Sequence, residues 1–170
     1  MLDFIMNIGY EVYENYLQYF CSRLKASFGS EKILSVALFG SVARRQARSD
    51  SDIDLLVVHG EVDFNPVHRS VDIALALREE NEYKRLVEQG LDPQPSCIFM
   101  TEQELWERPH ILLDILVEGI LLYDVGVLET RLKTLKERLN VLGSKRVTLP
   151  DGKWYWDLKP DWKPGEIIEL

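Results

Sequence analysis

Apolar residues recur along this chain with two different periods, and the switches between them outline its elements. Over residues 3–27, Phe4, Ile8, Val12, Tyr16, Tyr19 and Phe20 return every three or four positions, which puts them on one side of a helix. Gly29 stands just beyond as the stop. Residues 33–39 are then a short apolar run that suits a buried strand, ending at the pair Gly40-Ser41. Residues 42–47 are polar and read as a short helix. Residues 53–58 form an apolar, β-branched strand that stops at His59-Gly60.

Further along, the spacing predicts a second long helix over 68–89, with Gly90 as its C-terminal stop, and a strand over 96–100. Thr101-Glu102-Gln103-Glu104 has the form of a capping box, so a helix begins there. Pro109 suits the first position of the next helix, which runs to about Glu118. An edge strand is expected over 120–123 and a closing helix with charged and apolar faces over 127–142. The last 28 residues differ in kind. Val147-Thr148-Leu149, the turn Pro150-Asp151-Gly152-Lys153 and Trp154-Tyr155-Trp156 read as a hairpin, and three of the four tryptophans lie in this tail. The expected organisation is a domain over 1–142 and a Trp-rich extension over 143–170 that packs on the same domain. With no internal repeat, the order of elements predicts an α+β domain: a mixed β-sheet with helices packed mainly on one face, plus the hairpin-like tail.

Composition narrows the partners. Hydrophobic residues make up 46% and charged residues 28%, a globular balance. The formal charge of −8 makes a long nucleic acid a poor partner. No apolar run approaches the ~20 residues that span a bilayer, and Asp3, Glu11 and Glu14 stand where a secretory signal would be basic. Two cysteines, Cys21 and Cys97, provide no disulfide framework. A cytoplasmic protein without membrane attachment is expected.

The chemistry concentrates in Leu38-Phe39-Gly40-Ser41, ten residues, and then Asp52-Ile53-Asp54 running into Leu55-Leu56-Val57-Val58. Side chains alternate along a strand, so Asp52 and Asp54 share one face while Ile53, Leu55 and Val57 point into the core. Two carboxylates ~7 Å apart repel unless a cation joins them. Magnesium suits that gap, because it takes one or two carboxylates and leaves other positions for phosphate oxygens. Gly40 lets backbone approach a phosphate closely, and Ser41 adds a hydroxyl donor. Arg44, Arg45 and Arg48 form a local positive cluster from which one or two guanidiniums suit the β- or γ-phosphate; an exposed charged loop is the plain alternative.

Gly40-Ser41, ten intervening residues and Asp52-Ile53-Asp54 resemble the GS-x10-DxD signature of the nucleotidyltransferase (DNA polymerase β-like) superfamily. The resemblance is closest to the minimal nucleotidyltransferases of prokaryotes, many of which are paired with HEPN-type toxins. It implies transfer of a nucleoside monophosphate from an NTP, with ATP the expected one, to an acceptor hydroxyl on a protein or small molecule, releasing pyrophosphate. Gly40, Ser41, Arg44 and Arg45 would bind the nucleotide; Asp52 and Asp54 would be catalytic and hold one or two Mg²⁺. The family usually draws a third carboxylate from a neighbouring strand. Here that strand reads Pro95-Ser96-Cys97-Ile98-Phe99-Met100 and contains no acid. Ser96 and Cys97 occupy the expected position, with Asp50 and Asp72 as weaker substitutes. The alternative function is therefore a weak or inactive nucleotidyltransferase-like binding module, such as an antitoxin-like partner of a HEPN toxin. RNA-end addition is disfavoured by length and charge.

The remaining polar residues read more plainly. His59 is expected to face solvent after its strand, His68 and His110 lack metal-ligand spacing, and Cys97 reads as a small core residue. The tryptophans of the tail are expected to cover the domain, with a partner surface as the alternative.

Overall fold

A computed structural model describes residues 8–151 and 153–170, which fall into two compact units, one running to Leu128 and the other from Glu129 to Leu170. The expected contributions of Asp3 and Phe4, and Gly152 of the expected turn, lie outside the described residues. The first unit holds a four-stranded mixed sheet. Strands β1 (Ile33–Leu38) and β2 (Ile53–His59) pair antiparallel at its centre, with Leu38 opposite Leu55 and Ile33 opposite His59. Strand β3 (Pro95–Thr101) lies parallel to β2, and β4 (Ile120–Asp124) lies antiparallel to β1, giving the order β3-β2-β1-β4. As the apolar runs imply, the two central strands are almost wholly buried, and β3 and β4 are edges.

Helix α1 (Tyr10–Phe28) lays Tyr13, Tyr16, Leu17, Phe20 and Leu24 on the face of the sheet formed by Val36, Leu38, Ile53, Leu55 and Val57. It begins later than its periodicity suggests. Ile8 pairs in an isolated bridge with Ala47, and Gly9 is extended as the N-cap, so this segment is tied to the loop before β2 instead of starting a helix.

A parallel pair needs a long crossover, and the chain makes it with α3 (Pro66–Leu77) and α4 (Asn81–Glu88). One continuous helix over 68–89 was expected. The structure corrects this, and the reason is geometric. Leu77 and Leu86 are both buried, yet nine residues of helix turn the chain by roughly 900°, which would aim them in opposite directions. The polar run Arg78-Glu79-Glu80 breaks the helix, Glu80 turns extended, and α4 re-aims Leu86 at the core. Asn65 caps α3 by accepting a hydrogen bond from His68 N, and Pro66 takes its first position.

The capping box forms as read: Thr101 Oγ1 accepts from Glu104 N, and Glu104 Oε2 accepts from Thr101 N at 2.9 Å, opening α5 (Glu102–Glu107). α5 touches β2 and β3. Pro109 is the N-cap of α6 (His110–Glu118), one position before the helix proper. The second unit contains most of α7 (Val127–Val141) and the expected hairpin. Its strands, β5 (Lys145–Thr148) and β6 (Trp154–Asp157), pair antiparallel with Val147 opposite Tyr155. Within this unit Arg138 Nε donates to Glu169 O at 2.8 Å, and the buried Arg131 donates to Leu170 O.

Candidate functional site

The sheet register brings four chain segments to one edge. Leu38, the last residue of β1, faces Leu55 on one side and Ile120 on the other, while Ile53 lies beside Pro95. The turn after β1, the starts of β2 and β3, and the α6–β4 junction therefore meet at the same end of the sheet. Here Gly40 opens the short helix α2 (Gly40–Ala43) with φ of +72°, a conformation that favours glycine. A Cβ at this position would lie 2.1 Å from Asp54 Oδ2. Phe39 N donates to Asp54 O at 3.0 Å, closing the turn onto the strand. The close approach that the sequence suggested for a phosphate is thus made first to the Asp54 carboxylate. Ser41 follows, half-buried.

Asp54 is half-buried at the start of β2, and Asp52 is exposed just before it. Burial pushes the Asp54 carboxyl up, the negative charge of Asp52 pushes it further, and Arg44 opposes both. A half-buried carboxylate beside a second one supplies hard oxygen donors whose repulsion a divalent cation would relieve, so the pair fits magnesium. The parallel register sets Ser96 directly beside Asp54, so β3 brings a hydroxyl to the position where a third carboxylate was sought. Among the described residues, no group of three or more His, Cys, Asp or Glu side chains is placed to hold an ion. Asp50 pairs with Arg48 at 3.3 Å, and Asp72 lines a cleft between α1 and α3 with Arg23 and Arg69.

The three arginines that read as one cluster separate into different pairs. Arg44 Nη1 donates to Glu118 Oε2 at 3.1 Å, and its charge acts on Asp54. Arg45, with φ of +58°, reaches Glu11 in the first turn of α1, and Arg48 reaches Asp50. Arg44 is the arginine whose charge acts on Asp54. The residues that sequence reasoning passed over are Asp114 and Glu118 on α6. A signal for them existed: two acids four positions apart repel on a helix, and acids at its C-terminal end oppose the dipole.

His59 corrects its expected solvent exposure. It is the buried last residue of β2, its ring against Phe28 and Phe99, with Nδ1 2.6 Å from Gly60 O. Both cysteines are free, and burial pushes their thiols up, Cys21 to about 11 and Cys97 to about 12, so neither is an activated nucleophile.

The nucleotidyltransferase domain family model matches residues 15–122, a span that includes both the Gly40 turn and the aspartate pair. No curated protein matches the sequence. Among solved structures, similarity is found to a toxin–antitoxin crystallised with AMP-PNP, at 14% identity over 72% of this chain and 88% of that one, with a TM-score of 0.43. A double mutant of the MntA–HpeT toxin–antitoxin is similar at 15% identity over 75% of this chain and 89% of that one, with a TM-score of 0.44. A single mutant of the same pair gives 15% identity, the same coverage and a TM-score of 0.41.

Proposed function

The chain belongs to the nucleotidyltransferase domain family, and from that premise we propose that it transfers a nucleoside monophosphate from ATP to a hydroxyl on a protein or small molecule, releasing pyrophosphate. The observation that carries this reading is the contact between the glycine turn and the Asp54 carboxylate, with Asp52 beside it at the same sheet end. Asp52 and Asp54 are the residues that would hold one or two Mg²⁺. When bound, the ion neutralises charge at the α-phosphate and lowers the pKa of the acceptor hydroxyl. Gly40 leaves the turn without a side chain, so that a polyphosphate next to Ser41 meets backbone N–H groups and one hydroxyl. Arg44 and Arg45 are the guanidiniums proposed for the phosphates, with Arg44 nearer the aspartates by its electrostatic coupling. With Ser96 beside Asp54, a base for the acceptor proton would have to come from outside β3. No described helix is long and apolar enough to cross a membrane, and the free thiols suit the cytoplasm proposed for the protein.

Incubation of the purified protein with Mg²⁺, α-labelled NTPs and a panel of hydroxyl acceptors tests the assignment. Label is expected to transfer from ATP and to be lost on Asp52→Ala. If no nucleotide and acceptor pair gives transfer, the assignment as an active enzyme fails.

The serine beside Asp54 favours one second reading, a nucleotide-binding module that acts by holding a protein partner, as an antitoxin-like protein would hold a HEPN-type toxin. ATP binding without transfer, together with co-purification of a protein partner, is its expected signature.

A further inference from the structure

Helix α6 breaks two local rules at its last turn. Asp114 and Glu118 stand four residues apart, where like charges repel, and Glu118 ends the helix, where the dipole disfavours an anion. Burial and the charge of Glu118 push the Asp114 carboxyl up, and Arg44 pulls it back. Such violations mark places where a local cost is retained for another reason.

The geometry around Glu118 supplies one. Gly119 follows it and turns the chain into β4, its N donating to Ile115 O at 2.8 Å. A Cβ on Gly119 would lie 2.6 Å from that same carbonyl oxygen, so the tight passage from α6 into β4 needs glycine. Ile120 is then registered against Leu38, two residues before Gly40. The backbone on both sides of the Arg44–Glu118 pair is therefore set by the sheet. Within the pair the side chains are unequal: Glu118 is 18% exposed and Arg44 is 34% exposed. Glu118 is the anchored partner, and Arg44 is the one with room to move.

We propose that Glu118 is an internal competitor for the nucleotide, its carboxylate holding the Arg44 guanidinium that an incoming triphosphate must recruit. The inference rests on the nucleotidyltransferase reading of the site. Arg44 has a fork of donors that satisfies either a carboxylate or a phosphate edge, and a bidentate phosphate contact competes for the same N–H groups. In this arrangement Glu118 holds triphosphate affinity down and keeps Arg44 ordered beside Asp54 until the nucleotide arrives. Glu118 is a positioning residue that acts through Arg44 and touches no reacting atom.

The test is a cycle of Glu118→Gln, Arg44→Gln and the double variant, with ATP and inorganic tripolyphosphate as probes in Mg²⁺, read by calorimetric binding. Glutamine keeps an acceptor for Arg44 and relieves the repulsion on α6, so the fold is not endangered, and the melting temperature is recorded for each protein. Glu118→Gln is expected to tighten both probes by about 3- to 10-fold, the scale of a coupled contact pair. Arg44→Gln is expected to weaken them, and adding Glu118→Gln to it should change affinity by less than about 2-fold. Unchanged or weaker binding in Glu118→Gln, with the wild type binding normally, overturns the proposal. Equal tightening with and without Arg44 overturns it too, because the effect would then be general charge. If the wild type binds neither probe, the nucleotide site itself is wrong and the proposal falls with it.

Discussion

Strand β2 ends in two unlike environments. At its start the charge of Asp52 opposes ionisation of Asp54, Gly40 presses on the Asp54 carboxylate, and Arg44 is shared with the acids of α6. At its finish His59 is buried among rings: Phe28 stacks on Phe99 at 5.8 Å and meets Phe64 edge-on at 5.0 Å, while the Arg69 guanidinium lies 4.3 Å over Phe64. The finish gains dispersion and apolar burial from every side chain it contains. The start accumulates desolvated and like charges, each a cost to the folded state. The same strand is thus anchored at one end and held in an unfavourable electrostatic state at the other, the division expected where a rigid element presents a reactive site.

Breaking the anchored end should give the largest stability change. Phe28→Ala removes the ring shared by three partners and is expected to cost about 3–5 kcal/mol, as large aromatic truncations in cores do. Chemical denaturation measures the loss, and nucleotide binding per folded molecule should be retained. Equal damage to binding and stability would show that the two ends are not separable.

Gly40→Ala attacks the other end and should be milder in stability, roughly 1–3 kcal/mol, from the positive φ and the clash with Asp54 Oδ2. Its effect on binding should be out of proportion to that loss, since Asp54 must move. An alanine variant with wild-type ATP affinity would deny the turn its role.

Asp54→Asn should sharpen the contrast by reversing its sign. The folded-state pKa of Asp54 is raised, so its stabilising contribution is complete below the unfolded value and is lost as pH rises through the folded one. At neutral pH the ionised carboxylate is a liability, and the asparagine variant should melt higher, by no more than about 2–4 °C. The gap between the two proteins should close as pH is lowered through the folded pKa. A variant that melts lower at pH 7 would mean that Asp54 is a structural residue.

Much of this was legible before any coordinates. The apolar runs announce β1 and β2, and Thr101 to Glu104 announces a helix start that forms with both reciprocal hydrogen bonds. These are properties of neighbours in the chain, decided by backbone period and short-range hydrogen bonding. The single helix expected over 68–89 failed because periodicity is summed over a window and does not register that Leu77 and Leu86 must both reach one core. His59 was misread because a histidine next to glycine resembles a loop until Phe28 and Phe99 close over it.

What the amino-acid order determined alone is the local grammar of the site: a glycine turn, a return strand and two carboxylates at the start of that strand. Tertiary structure decided which groups those carboxylates and arginines meet. Ser96 stands beside Asp54 because β3 pairs parallel in that register, and Glu118 holds Arg44 because β4 starts opposite Leu38. Neighbours separated by 42 or 74 positions are chosen by strand pairing, and pairing is a long-range outcome of burying both faces of the sheet, which no local window of sequence contains.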